Sequence, residues 1–182
     1  MIWLLLGLLL WSIAHLLKRI LPDSRAGLGN AGKGLVAAGV LGGLVLMILG
    51  YRAAPFVNLW FPPAWTVHLN NLLMVAAIAL FGAGSSKSRL RGRLRHPMLL
   101  GALTWAAAHL LVNGDLASVV LFGGLALWAV AEMLVINVRA PGWTPTPGGS
   151  LAGDARLLAI TLVLYAVIVV LHGWLGVWPL PG

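Results

Sequence analysis

The sequence contains no cysteine and only four acidic residues among 182. Without thiols, disulfides, thiolate-bound zinc, iron–sulfur clusters and cysteine nucleophiles are all excluded. Charge of either sign is scarce, at 9% of residues, whereas 60% are hydrophobic. Mean hydropathy is +0.97. A soluble domain of this length has too few polar groups here to cover its surface. The composition implies an all-α integral membrane protein with one domain spanning residues 1–182. Nine tryptophans agree, because indole rings favour the membrane–water interface.

The formal net charge is +8, but its placement argues against nucleic acid. The basic residues lie in short loops between apolar runs, where orientation signals and contacts with anionic lipids reside. MIWLLLGLLLWSIAHLLKRI at the start has neither a basic leader nor an A-x-A cleavage pattern. It reads as a retained first helix.

Six apolar runs approach the roughly 20 residues that span hydrocarbon: 1–20, 33–52, 65–84, 97–113, 115–138 and 155–177. Turn formers (Pro22, Asp23, Ser24, Gly27) lie between the first two, and Pro62-Pro63 lies between the second and third. RAPGWTPTPGGSLAGD separates the last pair and precludes regular structure. Lys18, Arg19, Arg25 and Lys33 follow the first run; Lys87, Arg89, Arg91, Arg93 and Arg95 follow the third; Arg139 and Arg156 flank the loop after the fifth. Only Arg52 falls on the other side. The positive-inside rule then predicts six transmembrane helices with both termini on the periplasmic side.

Ionisable residues within a bilayer are costly, and they are functional or paired. His15, His68, His109, His172 and Glu132 are the candidates, with His96 at the cytoplasmic boundary. Side chains lean toward a helix N-terminus, so His15 on the first helix and His109 on the fourth lean toward each other at mid-membrane. His172 leans inward as well. Imidazoles from two helices facing one cavity are the usual grip of a helical bundle on haem. The alternative is one interhelical hydrogen bond per histidine. Gly101, Trp105, His109 and Asn113 share a face at four-residue steps. That row suits a flat macrocycle, and it equally suits close helix packing. Glu132 is open to three roles: bonding to a ligating imidazole, relaying protons, or pairing with a cytoplasmic arginine. Asp115 is expected to cap the fifth helix, after an Asn113-Gly114 turn. Pro97 fits the first helical position after His96.

RLRHPMLLGALTWAAAHLLVNGDLASVVLFGGLALWAVAEM, WSIAHLL and FPPAWTVHLN together resemble the NnrU family of bacterial membrane proteins, over nearly the whole chain. The resemblance implies residence in the bacterial inner membrane and a link to denitrification and nitric oxide metabolism. The same segments are similar to the zeta-carotene isomerases, whose histidine positions correspond to His15, His96, His109 and His172. That likeness implies haem b held by imidazoles. The RHP element is also similar to that of isoprenylcysteine carboxyl methyltransferases, which implies S-adenosylmethionine as a second cofactor candidate. No acidic or glycine-rich cradle follows Arg139 to support it.

The expectation is therefore haem b with His15 and His109 as axial ligands and His172 as the substitute for either. Trp105 and Gly101 would line the macrocycle, and Arg93, Arg95 or Lys18 would meet the propionates. Two alternatives stand beside it: a methyltransferase-like enzyme, and a non-catalytic partner of a nitrite or nitric oxide reductase. Expected partners are the bilayer, with anionic lipids at the cytoplasmic basic loops. Whether the chain is an enzyme, and whether it forms homo-oligomers, stays open.

Overall fold

The computed structural model describes residues 1–181. The order is α1 (Ile2–Ile20), α2 (Pro22–Gly27), α3 (Gly29–Arg52), α4 (Thr66–Ala83), a 3-10 turn (Arg89–Gly92), α5 (Pro97–Val112), α6 (Leu116–Arg139) and α7 (Leu151–Trp174). Among the described residues there is no sheet; an isolated bridge pairs Asn58 with Asp115.

Five helices (α1, α3, α4, α6 and α7) are long and apolar enough to cross a membrane, which makes the chain a multi-pass membrane protein. Their outward faces carry side chains such as Leu127, Leu158, Val163 and Val170, each more than half exposed. Only lipid accommodates such surfaces. The fourth predicted span, 97–113, is shorter than the others. α5 has 16 residues, about 24 Å at 1.5 Å per residue, against hydrocarbon of about 30 Å. Pro97 at its start and the extended backbone of Asn113 at its end set that length.

Two element boundaries differ from expectation for local reasons. Pro22 pre-sets the first turn of α2, so the segment predicted as a polar loop of turn formers is helical. α7 begins at Leu151 rather than at 155, because the Ser150 side chain accepts from the Gly153 amide at 3.0 Å. The predicted caps at Asp115 and Pro97 are present. Asp115 accepts from the Ser118 amide at 2.9 Å, and Pro97 opens α5.

The chain forms two compact units, Met1–Trp60 with Gly114–Pro141, and Phe61–Asn113 with Gly142–Gly182. In the first unit α1 packs along α3 at backbone contact. A Cβ on Gly7 would stand 2.6 Å from the Met47 nitrogen, and one on Gly43 would stand 2.8 Å from the Trp11 nitrogen. Small residues permit such approach, and in lipid the resulting dispersion contacts replace the hydrophobic effect as the cohesive force. α6 joins this pair, with the Leu8 side chain against Gly124. Tyr51 bonds Ser118 at 2.9 Å.

In the second unit α4 packs on α5 and on α7. The loop from Ser85 to Arg95 is held beneath residues 146–153. Ser150 N–H donates to the Lys87 carbonyl at 3.1 Å. Asp154 accepts from the Arg89 amide at 2.8 Å and from its Nε at 2.5 Å. Asn71 donates to the Pro179 carbonyl at 3.1 Å, which ties the C-terminal segment to α4.

Candidate functional site

His15, on α1 in the first unit, is half-buried between two indoles. Its ring centroid lies 4.3 Å from that of Trp11 and 4.9 Å from that of Trp128. The spacing explains this: Trp11, His15 and Arg19 recur every four residues on α1, as Trp128 and Glu132 do on α6, so one face meets another. Glu132 is buried, with Arg19 Nε at 3.7 Å from its carboxylate. Of the three roles open to Glu132, the structure shows the arginine pairing. Glu132 Oε2, Trp11 Nε1 and Trp128 Nε1 are buried with no hydrogen-bond partner.

His109 and His172 stand in the second unit, on α5 and α7. Trp105 lies 4.9 Å from the His109 ring, centroid to centroid. The Asn113 side-chain amide donates to the His109 carbonyl at 2.9 Å, which also accepts the Asn113 backbone N–H at 3.0 Å.

All three imidazoles share one detail. Each Nδ1 bonds the carbonyl four residues earlier: His15 to Trp11 at 2.9 Å, His109 to Trp105 at 2.9 Å, His172 to Ile168 at 2.8 Å. A carbonyl only accepts, so Nδ1 carries the proton and Nε2 carries the lone pair. The first two instances sit in a recurring string. WSIAHLL covers residues 11–17 and WAAAHLL covers 105–111, one in each unit. Aligning the chain with itself finds this repeat; a residue-by-residue search for histidines does not.

Among the described residues, no group of three or more His, Asp or Glu side chains gathers to hold a metal.

The chain matches the family model described as "NnrU protein" over residues 3–179. It belongs to the NnrU family. No curated protein and no solved structure matches it, so the likeness to carotene isomerases and carboxyl methyltransferases rests on motifs alone.

In this NnrU-family protein the remaining candidates are dispersed. Gly101 is buried against α4, where a Cβ would come to 3.1 Å from the Ala77 oxygen and the Phe81 nitrogen; helix packing accounts for it. Lys18 is exposed on α1. Arg93 and Arg95 precede α5, with Arg93 in electrostatic reach of Asp154. His68 is exposed in the first turns of α4, and His96 caps α5.

The Arg19–Glu132 pair gives a stability prediction. Removing half-exposed Arg19 strands the carboxylate of buried Glu132, whereas removing both is nearly neutral. Arg19→Met should destabilise the protein by about 2 kcal/mol, and adding Glu132→Leu should restore most of that. Thermal unfolding in detergent reads the difference. Additive losses in the double variant would refute the coupling.

Proposed function

We propose that this NnrU-family membrane protein binds haem b by imidazole ligation, with axial ligands drawn from His15, His109 and His172. The observation that carries this reading is the common Nδ1-to-carbonyl bond at the three rings. Ligating histidines are held this way: the outer bond fixes the tautomer and aims Nε2 away from its own helix. The three buried polar atoms left without partners beside His15 also favour an occupied polar centre there.

Haem bound there would supply an iron able to exchange electrons or take a diatomic ligand. The chain's contribution is steric and electrostatic. Trp11 and Trp128 restrict the His15 ring and keep water from it. Glu132, charge-compensated by Arg19, offers a carboxylate oxygen next to that ring for holding a proton. Arg93, Arg95 and Lys18 supply cations of the kind that meet propionates. Six crossings with both termini periplasmic complete the reading. α5 makes the short crossing, which local thinning of the bilayer and snorkelling by Arg93 and Arg95 accommodate. The proposed setting is the bacterial inner membrane and nitric oxide metabolism.

Protein purified from haem-sufficient cells should carry haem near one per chain by the pyridine haemochrome assay. Haem-free protein that also fails to take up added hemin would sink the proposal.

A further inference from the structure

A cavity of about 290 Å³ opens in the second unit, at the end of α4 and the start of α7, and none of the imidazoles lines it. Its polar lining is Ser85, Ser86, Lys87 and Arg156, and its apolar lining is buried Leu157 and exposed Ile160. Gly153 makes the site compact: a Cβ there would collide with the Lys87 backbone carbonyl, so α7 starts directly against the loop.

The charge at this rim is uncompensated. Asp154, the nearby carboxylate, is turned to the Arg89 amide and guanidinium. Among the described residues neither Lys87 nor Arg156 meets a carboxylate; both are exposed. The hydroxyls differ in availability. Ser86 is committed, donating to Ala83 at 2.9 Å and accepting from the Ser88 amide at 3.1 Å. Ser85 is exposed and held by a long 3.4 Å contact to Gly82, which it can exchange for a better acceptor.

Two cations and a hydroxyl around a headgroup-sized space are the chemistry that grips a phosphate ester. The apolar wall narrows the source. Leu157 and Ile160 belong to a helix whose next turns expose Val163, Leu164 and Val167, so an acyl chain leaving the cavity runs onto a lipid-facing surface. We propose that this cavity binds the phosphate of an anionic phospholipid, with Lys87 and Arg156 as the clamp and Leu157 and Ile160 against the glycerol and first methylenes.

The test uses the full chain, delipidated in detergent and titrated by native mass spectrometry with phosphatidylglycerol, phosphatidylcholine, glycerol phosphate and inorganic phosphate. Each cation near an anionic headgroup is worth about fivefold. Lys87→Ala/Arg156→Ala should therefore bind phosphatidylglycerol roughly thirty-fold more weakly than the parent. The variant should fold, since Ser150 uses the Lys87 backbone and not its side chain. Arg91→Ala/Arg139→Ala removes equal charge from positions that do not line the cavity and should change little. Phosphatidylcholine should bind weakly, and the soluble phosphates should displace lipid poorly. Inorganic phosphate binding as tightly as the lipid would overturn the lipid assignment and leave a soluble phosphate as the ligand. Equal losses in the two double variants, or no loss in the first, would overturn the site. Haem content plays no part in the readout, so this inference and the haem proposal fail separately.

Discussion

On the haem proposal, His109→Gln is expected to leave a folded protein that takes up no haem. Gln keeps a polar group on α5 and holds roughly the volume of the ring, so the helix contacts persist. It has no aromatic nitrogen lone pair to donate to iron. Loss of an outer hydrogen-bond partner of a metal-bound histidine costs roughly 10–100-fold in affinity; loss of the ligand itself should exceed that and bring haem to background. Trp105→Leu is the informative contrast. It removes the indole beside His109 but keeps the backbone carbonyl that orients the ring. It should retain haem with a shifted absorption band. His68→Ala, at an exposed position, should retain haem unchanged. A His109→Gln protein with full haem content would remove His109 from the ligand set, and the same comparison at His15 and His172 identifies the remaining ligand.

Gly50→Leu should abolish the folded protein. A Cβ at Gly50 would already fall onto the Leu4 backbone nitrogen, with Leu4 Cα and the Trp3 carbonyl carbon each at 2.7 Å. These are backbone atoms, which cannot swing aside as a side-chain end does, so α1 and α3 must separate. Overpacking usually costs about 1–3 kcal/mol, and here the cost extends to the contacts between the two helices. Gly34→Leu, on the same helix with nothing within 4 Å, should be neutral or slightly stabilising, because Leu favours the helix over Gly. Size-exclusion profiles in mild detergent distinguish the outcomes. A monodisperse Gly50→Leu peak matching the parent would show that α1 and α3 do not approach as described.

Much of this architecture is legible in the sequence because lipid imposes simple requirements on the chain. An apolar run near 20 residues has few alternatives to a helix, so α1, α3, α4 and α6 fall close to the predicted runs. Errors arise where short-range chemistry decides. The α2 segment looks like a turn by composition, yet Pro22 at its start favours a helical first turn. Ser150 caps α7 so that the helix begins at Leu151, four residues before the predicted run at 155. The candidate sites divide in the same way. Histidines, tryptophans and their four-residue spacing are visible in one dimension, and so is the WxxAHLL repeat once segments are compared. Which residue lies opposite on another helix is not visible. That Arg19 rather than another cytoplasmic arginine pairs with Glu132, and that α4 lies against Gly101, depends on how the helices pack. The cavity at the start of α7 is a further case, since Lys87 and Arg156 are 69 positions apart (156 − 87) and are joined only by the packing of α7 against the loop.

The central claim is that the imidazoles of this NnrU-family protein ligate haem iron. The most direct measurement is the absorption spectrum of the pure protein, oxidised and then reduced with dithionite, before and after nitric oxide. The account predicts a Soret band that shifts on reduction, with resolved visible bands of a low-spin haem if two histidines bind, and a further shift with nitric oxide if one position is open. A folded, hemin-exposed protein with no Soret absorption in any of these states would contradict it.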